Sequence, residues 1–127
     1  MTVVAMDTSA LMAPVETGVR VFDELERLLG EYEAVVPRAV VEELRSHAAG
    51  AGAEATAASV GSDLAAERCR TVETDAQYAD DALLELAGRG EVDAVVTNDV
   101  PLKERLLAAG APVIHLRGRN KLVRTQP

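Results

Sequence analysis

Four acidic side chains occupy positions where a folded chain could bring them to one place. They are Asp7, Glu43, Asp80 and Asp99. Two carboxylates about 4 Å apart repel by roughly 4 kcal/mol at an effective dielectric of 20, so a protein that gathers them protonates one or binds a cation. Carboxylate oxygens suit a hard cation, Mg²⁺ or Mn²⁺. Because such an ion activates water and stabilises an in-line phosphoryl displacement, these residues predict metal-dependent phosphodiester hydrolysis.

Asp7 and Asp99 are predicted to follow two buried strands. The apolar run 3–6 ends at Asp7, and the run 92–97 is followed by Asn98 and then Asp99. Short apolar runs bounded by polar residues are typical of strands buried on both faces. Because the carboxyl ends of parallel strands meet at one rim of a sheet, we expect both carboxylates at that rim.

Glu43 and Asp80 are predicted to lie early in helices that begin at the same rim. Residues three, four and seven apart share a helix face. Glu43 shares its face with Val40, and Asp80 shares the buried stripe of Leu83, so both carboxylates are expected toward the sheet. Asp81 lies nearer the flank and is the alternative ligand of the doublet. Hydrogen bonds that support the carboxylates are expected from Thr8, Ser9, Thr97 and Asn98.

The predicted elements alternate in the order β-α-β-α-α-β-α-β-α-β. Such alternation favours parallel strands with right-handed crossovers and helices on both faces. The predicted fold is α/β: a three-layer α/β/α sandwich with a central, mostly parallel five-stranded sheet, in one domain over residues 1–127. Pro14 is expected to limit any helix begun at Ser9, and Thr74 and Asp75 are expected to cap a helix over residues 77–89.

Composition restricts the class of protein. A single cysteine excludes an intrachain disulfide and fits a reducing cytosol. No signal peptide is visible and no apolar run approaches the ~20 residues of a membrane span, so we expect a cytoplasmic protein without a membrane partner. The net charge is −8 and the only lysines are Lys103 and Lys121. An acidic, lysine-poor surface suits a high-salt cytosol, which makes a halophilic source a hypothesis.

The end of the chain differs in charge from the rest. The bulk charge argues against loose, purely electrostatic binding to nucleic acid. Within the segment 117–127, however, basic residues fall close together with no acid between them. Two interpretations are open, a contact with a polyanion such as RNA and a solvated tail. The residues concerned are Arg117, Arg119, Lys121 and Arg124.

Each acid also has a simpler interpretation as a helix cap, a first-turn acid or a surface residue. The joint placement of four acids on one rim favours a site over four separate explanations. Two other classes of protein also place an aspartate after the first strand, but this sequence does not match their motifs. A phosphoaspartyl phosphatase needs a second aspartate two residues after Asp7, where Ser9 stands, and a receiver domain needs a paired acid near that strand. No glycine-rich phosphate loop or nucleophile elbow is present.

The motifs resemble those of PIN-domain nucleases over nearly the whole chain. The matching phrases are Asp7-Thr8-Ser9 after the first strand, 40–44 (VVEEL), 79–82 (ADDA) with Leu83 and Ala87, and 97–99 (TND) followed by Leu102. The resemblance implies a compact α/β/α sandwich, an acidic pocket that binds Mg²⁺ or Mn²⁺, and cleavage of single-stranded RNA. The family's glutamate matches Glu43 and its third acid matches Asp80.

Two branches of that family compete. The phrases 78–81 (YADD), 97–99 (TND) and 113–117 (VIHLR), with the basic end, are more similar to an archaeal branch that resembles nucleases of small-subunit ribosomal RNA processing. The alternative is a VapC-type toxin, which would imply an antitoxin partner. A non-catalytic binding module for RNA or ribosome assembly is a further alternative. Relatives often dimerise, so a homodimer is an expectation.

Overall fold

A six-stranded sheet lies at the centre of the protein and six helices flank it. The computed structural model describes residues 1–127. The strands are β1 (Thr2–Met6), β2 (Tyr32–Pro37), β3 (Arg70–Val72), β4 (Ala94–Val96), β5 (Val113–Arg117) and β6 (Lys121–Thr125). The helices are α1 (Thr8–Thr17), α2 (Val21–Leu29), α3 (Arg38–Ala48), α4 (Gly52–Arg68), α5 (Ala79–Gly88) and α6 (Val100–Ala108).

The strand order is β3-β2-β1-β4-β5-β6, and β1 to β5 are parallel. The chain builds outward from β1 through β2 to β3, then returns to place β4 on the other side of β1. Val4 of β1 is therefore paired with both Ala34 of β2 and Ala94 of β4. In open α/β sheets the carboxyl ends of the strands at such a switch point form the ligand crevice. The α/β sandwich predicted from the sequence is confirmed, with its crevice between β1 and β4.

The prediction of five strands is wrong, because the basic end of the chain forms a sixth strand. Gly118 adopts a left-handed φ of 70° in the turn that reverses the chain. The strand β6 then pairs antiparallel with β5, with Lys121 opposite Arg117. Leu122 is buried, and its backbone N–H donates to Glu24 Oε1 of α2 at 3.0 Å. The segment is therefore an anchored edge strand rather than a polar tail.

Pro14 lies inside α1 instead of ending it. The helix runs three residues past the proline and stops at Gly18, whose N–H donates to Pro14 O at 3.1 Å. Proline removes only the hydrogen bond of its own missing N–H to the preceding turn. The helix is retained because its neighbouring residues are packed in the core. Leu11 and Ala13, in the turn before the proline, are buried in the core.

The start of α5 also differs from the prediction. The helix begins at Ala79, and its N-cap position is occupied by Tyr78, not by Thr74 or Asp75, with no hydrogen bond from the Tyr78 side chain to the helix. The preceding loop is held by Glu85, whose carboxylate accepts from Asp75 N at 3.0 Å and from Ala76 N at 2.9 Å. A side chain within the helix thus fixes its own entry loop, which local propensity does not reveal.

The core consists of aliphatic side chains packed on both faces of the sheet. Val4, Met6, Val36, Val95 and Ile114 are all no more than 1% exposed. Burial of both faces explains why the strands are continuous apolar runs rather than alternating patterns. No helix combines the length and apolar character needed to span a membrane.

Helix α4 packs closely against α1 and α3 because it has no side chain at Gly61. A Cβ built at this glycine would lie 2.9 Å from Leu11 O and 3.1 Å from Leu44 Cδ2. The backbone carbonyl cannot give way without moving α1, so the close approach depends on the glycine.

We predict that Gly61→Ala destabilises the protein by about 1–2 kcal/mol. Overpacking of this kind costs about 1–3 kcal/mol, while the better helix propensity of alanine returns up to about 1 kcal/mol. Gly88→Ala is the matched control, because no atom lies within 4 Å of its added Cβ. Urea denaturation should show it equal to or more stable than the parent, and equal stability of both variants would contradict the packing argument.

Candidate active site

Asp7 lies directly beyond β1 at the switch point of the sheet. Its backbone N–H donates to Val96 O of β4 at 3.1 Å, which continues the ladder past the end of β1. Its carboxylate caps α1 by accepting from Ala10 N at 2.7 Å. The side chain is only 4% exposed. The cap predicted as an alternative role is therefore real, and the same carboxylate also borders the crevice.

Two hydroxyl groups fix the Asp7 carboxylate. Ser9 Oγ lies 2.8 Å from Asp7 Oδ1 and 2.9 Å from Oδ2, and Thr97 Oγ1 donates to Oδ2. These hydroxyls in turn accept from the backbone that follows β4. Asn98 N donates to Ser9 Oγ at 2.9 Å, and Asp99 N donates to Thr97 Oγ1 at 3.1 Å. The ends of β1 and β4 are thus joined by one hydrogen-bonded network around a buried carboxylate.

Asp99 and Asn98 have separate tasks at the end of β4. Asp99 caps α6 by accepting from Leu102 N at 2.9 Å, and its side chain lies at the exposed rim. Asn98 Oδ1 accepts from Leu116 N of β5 at 2.8 Å. Asn98 therefore secures β5 rather than a carboxylate, and only its backbone N–H belongs to the Asp7 network.

A cavity of about 220 Å³ opens at this rim, and all four predicted acids line it. Asp7 forms its floor, because it is the most buried of them. Glu43 of α3 is less than half exposed, whereas Asp80 and Asp99 are exposed at the mouth. Asp80 is exposed and not buried with Leu83 as predicted, because its side chain in the first turn of α5 lies at the open mouth of the cavity. Thr8 and Ser9 of the supporting group also border this acidic cavity.

The doublet Asp80-Asp81 is divided between two environments. Asp80 lines the acidic cavity, whereas Asp81 lies outside it. Asp81 Oδ1 pairs with Arg105 Nη2 of α6 at 3.2 Å, and both side chains are about half exposed. Placement alone therefore favours Asp80 over Asp81 as the acid of the site.

Burial and mutual repulsion raise the pKa of two carboxyl groups in the acidic cavity. Desolvation raises the pKa of Asp7 from 3.8 to about 7, although hydrogen bonds from Thr97, Ala10 and Ser9 oppose the shift. The pKa of Asp80 is also raised, first by partial burial and then by the charges of Asp99 and Glu43. Carboxyl groups with raised pKa values in a crevice lined by acids indicate a cation site, because a bound cation would stabilise their ionised form.

Two further titratable side chains line the cavity that were not predicted as site residues, Glu16 and His47. Glu16 lies seven residues after Ser9 on α1, so helical spacing could have placed it on the same face. His47 Nδ1 lies 3.1 Å from Glu54 Oε1, and its Nε2 lies 3.8 Å from Glu43 Oε1. The imidazole thus links Glu43 of α3 to α4, which spacing within α3 could not show.

The donor set of the acidic cavity fits a hard cation, although it does not form a closed cage. No three Asp, Glu, His or Cys side chains lie close enough together to hold a metal ion. Mg²⁺ fits such a loose set, because it keeps several of its waters and takes only one or two carboxylates. Thr8 Oγ1 is buried and has no hydrogen-bond partner, which leaves an oxygen free beside the carboxylates.

None of the basic residues near the end of the chain lines the acidic cavity. Arg117 and Lys121 lie opposite each other on the β5–β6 hairpin, and Arg119 lies in its turn. This end of β5 is at the carboxyl rim, the same rim as the cavity. Arg124 is paired with Ile114 near the other end of β5 and lies on the opposite face of the hairpin. None of the four forms an ion pair within the protein.

Comparison with known proteins agrees with this geometry. The profile of a family described as PIN-like domains matches residues 4–119. The solved structure of the PIN domain endonuclease Utp24 aligns with a TM-score of 0.79 and 22% identity, covering 98% of this chain and 92% of that chain. At this identity the likeness shows the shared fold. No curated protein matches the chain.

We predict that Asp7 makes the metal-free protein less stable as the pH rises. The folded state holds the Asp7 proton up to about pH 7 while the unfolded chain releases it near 3.8. The free energy of unfolding should therefore fall between pH 4 and 8, with up to about 4 kcal/mol due to Asp7. Urea denaturation in the presence of chelator should show that this pH-dependent loss of stability is absent from Asp7→Asn and present in Asp81→Asn. Identical slopes for Asp7→Asn and the parent would show that Asp7 ionises normally.

Proposed function

The chain belongs to the PIN-like domain family, and from that membership we propose that it is a metal-dependent endoribonuclease that hydrolyses phosphodiester bonds in single-stranded RNA. The observation that carries this proposal is the convergence of Asp7, Glu43, Asp80 and Asp99 on one cavity at the switch point of the sheet. Four carboxylates serve no purpose as a packing unit. They suit a reaction that needs concentrated negative charge to bind a cation.

The residues of the chain act by holding these carboxylates in place. Ser9 and Thr97 orient Asp7, and the start of α6 orients Asp99 through Leu102 N. Asp7 and Asp99 thereby stay fixed when an RNA strand arrives, since neither needs to find a new hydrogen-bonding arrangement. Such preorganisation lowers the reorganisation that the reaction would otherwise require.

Asp7, Asp80, Asp99 and Glu43 are the candidate ligands for Mg²⁺ or Mn²⁺. One or two of them would bind the ion directly, and the others would bind its water molecules. The bound ion supplies water activation and neutralises the charge of the phosphodiester as it is displaced. The residues also explain the need for it. Without a cation, an RNA phosphate entering this cavity would meet five acids and no arginine or lysine.

The positive charge that draws RNA toward this rim would come from the β5–β6 hairpin. Arg117, Arg119 and Lys121 lie at the carboxyl rim and form no ion pair within the protein. On a chain of net charge −8, these are the groups free to replace the counterions of an RNA backbone. The arrangement supports binding of a strand across the rim, with the acidic cavity beneath one of its phosphates.

A role in the processing of ribosomal or other RNA is the form of this function that the similarities favour. The structurally similar Utp24 is described as a PIN domain endonuclease. If the protein is instead a VapC-type toxin, it would have an antitoxin partner and its expression would arrest growth. A non-catalytic RNA-binding module would keep the basic hairpin and need no metal. Metal-dependent cleavage would exclude the non-catalytic module, and growth arrest on expression would favour the toxin over the RNA-processing nuclease.

We predict that Asp7→Asn and Asp80→Asn each reduce cleavage of a labelled, unstructured RNA by at least about 100-fold. Removing one electrostatic group from a preorganised site typically costs about 10²–10³ in rate. Asp81→Asn is the matched control, because it is the neighbouring acid but pairs with Arg105 outside the cavity. Cleavage should require Mn²⁺ or Mg²⁺, stop with chelator and be measured at low and high salt.

The same proteins provide an assay that does not depend on activity. Ligand binding raises apparent stability by mass action, so millimolar Mn²⁺ should raise the melting temperature of the parent and of Asp81→Asn but not of Asp7→Asn. An active Asp7→Asn protein would refute the assignment. Absence of both cleavage and metal stabilisation in the parent would favour the non-catalytic module.

We predict that neutralising Arg117, Arg119 and Lys121 to glutamine weakens RNA binding and flattens its salt dependence. Each phosphate contact contributes about 0.7 to the slope of log K against log salt for a single strand, so the triple variant should lose up to about 2. Arg124→Gln is the control, because Arg124 lies about three residues away along the hairpin and on its other face. Equal affinity of the triple variant and the parent at low salt would show that this end is merely solvated.

A further inference from the structure

A second cavity, of about 340 Å³, adjoins the acidic one. The two share a wall made of consecutive residues. Glu42 lines the second cavity and Glu43 the first, while Tyr78 lines the second and Asp80, two positions later, the first. Because residues adjacent in the chain line the two cavities, the cavities lie side by side, and a single strand that extends beyond the acidic cavity can enter the second one.

The aromatic ring of Tyr78 stands at this shared wall and is 78% exposed. The chain contains only three aromatic residues. Phe22 is buried, and Tyr32 donates its hydroxyl to Phe22 O at 3.1 Å. Tyr78 is thus the one aromatic side chain with a face available to a ligand, and its hydroxyl forms no hydrogen bond within the protein.

The backbone beneath Tyr78 is held firmly. Tyr78 O accepts from Ala82 N at 2.9 Å in the first turn of α5, and Glu85 fixes the loop before it through Asp75 and Ala76. The exposed ring therefore projects from a fixed backbone position rather than from a free loop. A fixed aromatic loses less conformational freedom when a planar ligand stacks on it.

The neighbouring cavity is polar but offers little net charge to a phosphate. Its one arginine, Arg38, donates Nε to Glu73 Oε2 at 2.6 Å, and Glu42 leaves the cavity acidic. Thr74 and Gln77 provide neutral hydrogen-bonding groups beside the ring. A flat aromatic face with neutral amide and hydroxyl groups suits a nucleobase, which has a π-face and a hydrogen-bonding edge.

We propose that Tyr78 and this neighbouring cavity form a nucleobase subsite, in which the ring stacks on the base of a nucleotide next to the phosphate in the acidic cavity. This inference rests on the proposed function, since it places the base relative to a cleaved phosphate. It also gives a reason for single-strand selectivity. In a duplex the base is already paired and stacked, so it has no free face for Tyr78.

The test uses the chain's lack of tryptophan. In an Asp7→Asn background that leaves the RNA intact, Tyr78→Trp introduces a single tryptophan whose fluorescence should be quenched when a single-stranded RNA stacks on it. Tyr78→Ala should bind the same RNA about tenfold more weakly, the loss expected for one stacked base. Val60→Ala, an exposed apolar truncation in α4 that lines neither cavity, should bind like the background protein.

A scan of single abasic nucleotides along the RNA locates the stacked base. One abasic position should weaken binding to the background protein about tenfold and have no further effect on Tyr78→Ala. Equal affinity of Tyr78→Ala and the background protein, or an equal abasic effect in both, would overturn the subsite even if wild-type cleavage occurs. Stacking without any cleavage by wild type would instead refute the proposed nuclease. Absence of both RNA binding and cleavage would refute both proposals.

Discussion

The Asp7 carboxylate, buried between the ends of β1 and β4, is the constraint on which the rest of the rim depends. It caps α1, receives the hydroxyl of Thr97 and accepts a hydrogen bond from Ser9. Those hydroxyls order the backbone at Asn98 and Asp99. A single buried acid therefore sets where a helix begins, how two strands end and where a second acid stands.

This arrangement explains how a small domain can maintain a crevice lined by like charges. The five acids are attached to different elements of the fold, namely the end of β1, helices α1, α3 and α5, and the start of α6, so repulsion among the carboxylates acts against the packing of the whole core. The burial of aliphatic side chains on both faces of the sheet opposes it. Repulsion at the acidic site lowers the free energy of unfolding, and the continuous core, which extends from Val4 to Ile114, offsets that loss.

Much of this organisation could be predicted from the sequence, because it follows from local patterns. Continuous apolar runs marked the buried strands, and the acids just after them marked the rim. Other features depend on contacts between distant residues. The strand β6 is stabilised by Glu24 of α2 across the fold, and the entry to α5 is held by Glu85 from within the helix. Glu16 and His47 enter the cavity through the packing of α1, α3 and α4, which no single stretch encodes.

The distinction between Asp80 and Asp81 is a second case in which local sequence patterns were not sufficient. Helical periodicity favoured Asp80, but for a reason that proved incorrect, since its side chain is exposed at the mouth of the cavity rather than on the buried stripe. The partner that separates the two acids is Arg105 of α6. Its position depends on tertiary packing and not on the spacing within α5.

The two edges of the sheet restrict how copies of this protein could associate. One edge is β3, only three residues long, where Arg70 pairs with Glu33 of the adjacent strand. The other is β6, which carries Lys121 and Arg124. Short and charged edges discourage strand-to-strand addition. A dimer of this domain would therefore be built through helix surfaces, and a sheet running continuously across two subunits is not expected.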